Sequence, residues 1–355
     1  MKEVQLKDIC SKGSSTLKQK EVLESKGDYP VFGASGLTGY LPTYHQENEY
    51  IAIVKDGSGI GRVVFLPPKS SVIGTMQYIL PKKGFDIRYV GYCLKSLDLS
   101  KYKQGAAIPH IYFRDYGERY VKVEESLSEQ QAIVSRLDAA FAKIDALKAN
   151  AEKQLNDARA LFQAELSESM MPKEGWEEKK FGDVCWYNKI NGLHKGTRYV
   201  GMEHIEQGTG LLLDTMSSDE VLSNTFSFKK GDVLYGRLRP YLKKVIVAGF
   251  DGCCSTEIFP IQSKFIVASF LMYWFLTDEI TNKINATCSG CRMPRGNMND
   301  VLKFDFSYPS IEEQQQIVAH LNALSAKVKE LEKINEQTQK ECDALKQAML
   351  REIFE

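Results

Sequence analysis

Gly57, Gly59 and Gly61 stand at alternate positions in the stretch GSGIG. Glycine at that density could let backbone N–H groups cradle a phosphate. The dinucleotide fingerprint needs a further glycine that opens a helix. Here Arg62 fills that place and the strand-like run VVFL follows, so the stretch predicts a plain turn. Cys288 and Cys291, in CSGC, have the spacing of half a zinc site, and Cys253 and Cys254 could supply the other half. Adjacent cysteines seldom close on one ion, so the expectation is free thiols and no metal. The five histidines include no H-x-x-x-H pair. No G-x-x-x-x-G-K-[ST] loop for a nucleoside triphosphate occurs. The sole Pro-Pro pair, in LPPK, does not belong to the Asn/Asp-Pro-Pro-aromatic motif of DNA amino-methyltransferases. No catalytic residue and no cofactor site in this chain are predicted.

Three stretches are basic and contain no acid. Residues 99–114 hold Lys101, Lys103 and Arg114, residues 233–250 hold Arg237, Arg239, Lys243 and Lys244, and residues 281–299 hold Lys283, Arg292 and Arg295. Lys and Arg among glycine and tyrosine suit phosphate contact. Arg, Asn, Gln and His suit the edges of bases.

Length and composition bound the rest. A chain of 355 residues exceeds one ordinary core, so at least two domains are expected. Hydrophobic content of 43% with 26% charged residues fits a globular protein. No apolar run is long enough for a membrane span, no apolar stretch suited to secretion opens the chain, and the cysteines are scattered; the expectation is a reduced, cytoplasmic protein with no membrane partner. The formal net charge of zero hides a division. Residues 1–125 carry 18 Lys and Arg against 14 Asp and Glu, and residues 172–309 carry 17 against 16. Residues 126–171 and 310–355 carry 5 against 7 and 6 against 9.

Those last two segments contain a repeat. SLSEQQAIVSRLDAAFAKIDAL at 126–147 aligns without gaps on SIEEQQQIVAHLNALSAKVKEL at 310–331, offset by 184 residues, with 11 of 22 positions identical. Each copy opens with a capping-box pattern, Ser126-x-x-Glu129 and Ser310-x-x-Glu313. Apolar residues then recur at the alternating spacing of a coiled-coil seam: Ile133, Leu137, Ile144 and Leu147, with Ala140 between, and Ile317, Leu321, Leu324, Val328 and Leu331. Neither copy meets proline or glycine for about 40 residues, which predicts helices roughly 60 Å long. A seam this narrow needs a partner, and the simplest is the other copy in the same chain. The regions before each helix read as mixed strand and loop, and they are distantly alike. VQLKDIC parallels KKFGDVC, and GAAIPHI at 105–111 parallels GCRMPRG at 290–296. The boundaries expected are 1–125, a helix over 126–171, a second domain over 172–309 and a second helix over 310–355.

This domain–helix–domain–helix order, with each helix opening on an L/I-x-E-Q-Q-x-I-V pattern and with PKEGWEEKKFGDVC leading into the second half, resembles the specificity subunit of type I restriction–modification systems. The resemblance covers essentially the whole chain. It implies an α+β fold in which two target-recognition domains are separated by an antiparallel coiled coil, with an internal pseudo-two-fold repeat. It implies a double-stranded DNA target in two unlike half-sites, one per domain. It further implies two methyltransferase subunits that hold S-adenosylmethionine and methylate adenine N6, joined for restriction by a motor–nuclease subunit.

With that implication, the candidates for base or phosphate contact are Arg62, Gln77, Lys101, Lys103, Gln104, His110 and Arg114 in the first domain. In the second they are Arg237, Arg239, Lys243, Arg292, Arg295, Asn297 and Asn299. A scaffold whose coiled coil and domains bind only proteins is the alternative. An enzyme with its own specificity domains is a third class, opposed by the missing cofactor motifs.

Overall fold

The computed structural model describes residues 1–105, 109–290 and 292–355. The chain forms two compact units. Unit 1 comprises Met1–Glu152 with Asn335–Glu355, and unit 2 comprises Lys153–Ile334. The two long helices, Leu127–Ser169 and Ile311–Phe354, each contribute one half to each unit.

Unit 1 is built on a four-stranded antiparallel sheet in the order Cys10–Ser14, Met76–Pro81, Tyr50–Val54, Val63–Leu66. Tyr50–Val54 reads YIAIV and is buried at every position, as a central strand covered on both faces must be. A helix at Ile87–Ser96 covers one face; Asp86 caps it by accepting from Tyr89 N at 3.0 Å. The strand Lys2–Gln5 pairs with Tyr120–Val123, which runs directly into the first long helix.

Unit 2 repeats this plan. Its four-stranded antiparallel sheet runs Cys185–Tyr187, Ile258–Ser263, Val233–Gly236, Val245–Val247. The apolar helix Ala268–Leu276 packs against it, and Glu177–Lys180 pairs with Asp305–Tyr308 ahead of the second long helix. The units differ in their second sheets. Unit 1 has three strands there, and unit 2 has five, built on Thr225–Phe228 and Gly252–Ser255.

Within each unit the helix halves run antiparallel. In unit 1, Lys148 pairs with Asp343 and Asp145 with Lys346; in unit 2, Arg159 pairs with Glu332 and Glu165 with His320. The helix ends enter the cores. Val134, Leu137, Leu350 and Phe354 belong to the core of unit 1, and Leu166, Met170 and Leu321 to that of unit 2.

The inward stripe departs from the expected seam in one place. Leu137, Ile144 and Leu321 are buried, and Ile133, Ile317, Leu324, Val328 and Leu331 are half-buried. Leu147 lies outside the stripe, 59% exposed. Lys148 turns inward instead, followed by Ala151 and Leu155. Two contacts shift the register. Phe141 packs edge-on against Tyr92 of the domain, 5.5 Å between centroids, which widens the apolar face. Lys148 keeps little of its side chain in solvent while its ammonium reaches Asp343 at 2.8 Å, and Gln339 donates to its carbonyl at 3.3 Å.

Candidate nucleic-acid interface

The same backbone cradle forms in both units. In unit 1 the turn after Tyr50–Val54 meets the segment before the long helix. Asp56 bridges His110, Gly57 N donates to Pro109 O at 3.0 Å, and Gln104 and His110 exchange two backbone bonds of 2.8 Å. In unit 2 the turn after Val233–Gly236 does likewise. Leu238 bridges Arg295, Arg239 N donates to Pro294 O at 2.7 Å, and Ser289 and Arg295 exchange bonds of 3.2 and 3.3 Å. The basic stretches around 237–243 and 289–295, far apart in sequence, are thus one surface.

Different local chemistry builds the two turns. In unit 1, Gly57, Gly59 and Gly61 all have positive φ, from 80° to 84°. Gly59 also makes room for Arg62, whose Nη2 lies 2.2 Å from where a Cβ would sit. In unit 2, Arg239 and Lys243 themselves take positive φ, 52° and 46°, on either side of the short helix Pro240–Leu242. For residues with a Cβ this conformation is strained. Three bonds hold it: Arg239 N to Pro294, Lys243 Nζ to Asp278 at 2.5 Å, and Lys244 Nζ to Met202 O at 2.6 Å.

The side chains presented also differ. His110 Nδ1 lies 2.6 Å from Asp56, and its ring stacks on exposed Tyr112 with centroids 6.3 Å apart. The Arg114 guanidinium covers the same tyrosine ring at 4.7 Å. His110, Tyr112 and Arg114 form one stack at alternate positions. Arg62 is exposed and lines a groove of about 460 Å³ with Asp56, Ser58, Thr38 and Thr75. Lys101 and Lys103 are exposed, Lys101 only 3.9 Å from Asp98, and Gln104 donates to Asp115 at 2.8 Å. In unit 2, Glu257 gathers two of the candidates, accepting from Arg237 Nε at 2.9 Å and from Arg295 Nε at 2.8 Å. Burial pushes the Glu257 carboxyl up, but the bonds from Arg295 and Arg237 outweigh it and hold the carboxyl below its ordinary range. Arg292 and Asn299 are exposed.

Three candidates stand differently from expectation. Gln77 is 4% exposed in the central sheet, where its amide donates to buried Tyr116. It is a core group, because the alternation of its strand is lost when both faces are covered. Asn297 spends its side chain on a helix start, accepting from Asn299 N at 3.1 Å and donating to Asp300 at 2.6 Å. Lys243 is tied to Asp278, with little of its side chain in solvent. The acid-free stretches are therefore not acid-free in space, since Asp56, Asp98, Glu257 and Asp278 arrive from elsewhere in the chain. Ala106, Ala107 and Ile108, in the first basic stretch, lie outside the described residues.

The cysteines whose spacing invited a zinc reading lie in different settings. Cys253 and Cys254 are neighbours on a strand, so their side chains point to opposite faces. Burial raises the Cys254 thiol pKa and pushes the equivalently placed Cys10 and Cys185 up to about 12. Cys291 lies outside the described residues; among the described residues no group of three or more His, Cys, Asp or Glu is placed to hold a metal.

One pair of residues carries the repeat from sequence into structure. Gln130 and Gln314, the first glutamine of each E-Q-Q, are fully buried. Gln130 accepts from Asp86 N at 2.8 Å and donates to the carbonyls of Glu124 and Gly84 at 2.9 and 3.2 Å. Gln314 accepts from Val267 N at 2.8 Å and donates to Pro309 and Phe265 at 2.9 and 3.3 Å. Each clamps the start of a long helix to the N-terminal end of its domain's packing helix. Sequence reasoning read these glutamines as part of a helix-start pattern and missed this role. Their identity at equivalent places was the available signal.

The duplicated pattern matches a family model twice. Residues 1–157 and 173–340 both fit the type I restriction modification DNA specificity domain. The chain belongs to that family. The type I restriction enzyme EcoDI specificity subunit of Escherichia coli is 28% identical over 290 residues, which cover 71% of this chain and 65% of that protein. The match thus spans just under two thirds of that relative. A chain from a solved type I R-M system has a similar fold, with a TM-score of 0.74 at 16% identity, over 98% of this chain and 96% of the other. The HsdS subunit from Thermoanaerobacter tengcongensis is similar at a TM-score of 0.54 and 15% identity, over 98% and 95%. The two matched stretches correspond to the α+β plan that occurs twice in the chain, each copy leading into a long helix. No helix among the described residues is long and apolar enough to cross a membrane.

Proposed function

We propose that this chain is the DNA-recognition subunit of a type I restriction–modification complex and reads a target in two unlike halves, one through each unit. The observation that carries this reading is the shared cradle with unlike side chains. Equivalent backbone bonds hold His110 in unit 1, with Tyr112 and Arg114 stacked beside it, and Arg239 and Arg295 in unit 2, with exposed Arg292 three residues before Arg295. Arginine pairs with the guanine edge through two parallel bonds, while an aromatic–cation stack favours base or sugar faces. Unlike groups on like frames would select unlike half-sites. Exposed Lys101, Lys103 and Arg62 fit phosphate contact that positions without specifying.

In this reading the chain supplies no catalytic residue. Two methyltransferase subunits carry S-adenosylmethionine and modify adenine N6, a motor–nuclease subunit joins for restriction, and the assembly works in the cytoplasm. The long helices fix the spacer between half-sites, so one heptad added to both should lengthen the spacer and leave the half-site bases unchanged. Adenine-methylation mapping of DNA from cells expressing the chain with its methyltransferase tests the proposal. A bipartite, asymmetric motif is expected. A continuous motif, or none that depends on this chain, would contradict it. Binding that is indifferent to salt would favour the protein-only scaffold.

A further inference from the structure

Two interhelix ion pairs occupy equivalent places in the two long helices with their charges exchanged. In unit 1 the Lys148 ammonium meets Asp343 at 2.8 Å. In unit 2 the Arg159 guanidinium donates twice to Glu332, at 2.6 and 3.1 Å. Positions 148 and 332 are 184 residues apart, as are 159 and 343, which is the offset of the repeat. A place that is basic in the first helix is acidic in the second, and so is the place opposite it. In a third pair Lys346 meets Asp145 at 2.5 Å; the equivalents of those residues are Phe162 and Lys329.

We infer that this exchange of charge makes the second long helix reject the same helix of another copy of this chain and accept the first long helix. At three places the apolar stripes give no choice: Ile133 matches Ile317, Leu137 matches Leu321 and Ile144 matches Val328. Elsewhere they differ, with Phe141, Leu155 and Phe162 answered by Ser325, Gln339 and Lys346. Charge adds a distinction that acts by repulsion. Were two second helices to pair in the observed antiparallel register, Glu332 would face Asp343 and Lys329 would face Lys346, and symmetry would produce each contact twice. Two first helices would set Lys148 against Arg159, relieved by Arg136 against Glu165, so the rejection is sharper for the second helix. Each exposed pair is worth at most about fivefold in a pairing equilibrium, and the opposed contacts together reach on the order of a hundredfold. Copies that paired like with like would present two identical readers, and an asymmetric target would become a palindrome. That consequence rests on the DNA-recognition reading; the pairing rule does not.

The test uses two differently tagged forms of the full chain, unfolded together, refolded and captured on one tag. Wild type should give little mixed-tag species. Asp343→Lys with Lys346→Glu repels the first helix and attracts a second copy, so mixed-tag species should rise several-fold and fall again in high salt. Adding Asp145→Lys and Lys148→Glu restores attraction within the chain and should bring the yield down again, though not fully to the wild-type level, because the altered second helix still attracts its own copy. No rise in the first variant, or no reversal in the second, overturns the inference. Should the first variant fail to refold, double-mutant cycles decide it. Lys148→Ala with Asp343→Ala and Arg159→Ala with Glu332→Ala must both show salt-sensitive coupling in Tm, and its absence in either pair overturns the proposal.

Discussion

The helix starts of the two units are nearly interchangeable, while the loops beside them share their backbone bridges and present unlike side chains, His110, Tyr112 and Arg114 in one and Arg239 and Arg295 in the other. Gln130 and Gln314 make the same three kinds of bond, two of them to equivalent partners and the third to carbonyls one residue apart in the alignment. A few residues upstream, the cradle closed by His110 in one unit and by Arg295 in the other keeps its bridges but changes its chemistry. In unit 1 the cation belongs to an aromatic stack; in unit 2 it is held by an acid shared with Arg237. The difference separates what the fold requires from what it leaves free. Groups buried at the helix start must satisfy fixed backbone partners, so one residue type serves twice. Groups on the cradle need only a frame, so they can vary without loss of the fold.

The comparison breaks most directly in the helix stripes. Leu137→Ala and Leu321→Ala should each cost roughly 2–5 kcal/mol in chemical denaturation, whereas Leu147→Ala should stay within about 0.5 kcal/mol because its side chain is in solvent. An equal loss at Leu147 would restore the regular seam. The glutamine clamps come next. Gln130→Ala and Gln314→Ala should each lose about 2–3 kcal/mol, since buried backbone groups lose their partners. A clear inequality between them would show that the units are less alike than their bonds imply.

The cradle should behave in the opposite way, with small effects on stability and unlike effects on recognition. Arg295→Ala should cost about 1–3 kcal/mol of discrimination at one half-site, read by binding to DNA with that half altered. The smallest effect concerns pH. Because the arginines depress the Glu257 pKa, their stabilisation is complete above its ordinary value of 4.5 and is lost as pH falls through the lower folded value. Acid melting of unit 2 should therefore steepen below 4.5 in wild type and lose that component in Glu257→Gln.

Much of this fold was legible because repeats and periodicity are strong signals. The duplication, the two long helices and their pairing with each other follow from 22 aligned residues and an apolar stripe, while the antiparallel sense of that pairing came from the family resemblance. The stripe misled only at Leu147, where packing of Phe141 on Tyr92 moved the inward face by one residue. The candidate site was less legible, for a physical reason. Acid-free stretches in sequence say nothing of acids brought in by the fold, so Glu257 and Asp56 could not be paired with Arg295 and His110 in advance. Gln77 looked available because its polarity suited a surface, yet a hydrogen bond to Tyr116 lets it sit in the core. Tyr112 was overlooked although it lies between two named candidates.

Methylation mapping of two variants tests the central claim. His110→Ala with Arg114→Ala should relax the bases of one half-site, and Arg292→Ala with Arg295→Ala should relax only the other, with the spacer unchanged in both. Relaxation of both half-sites by either variant would contradict one reader per unit.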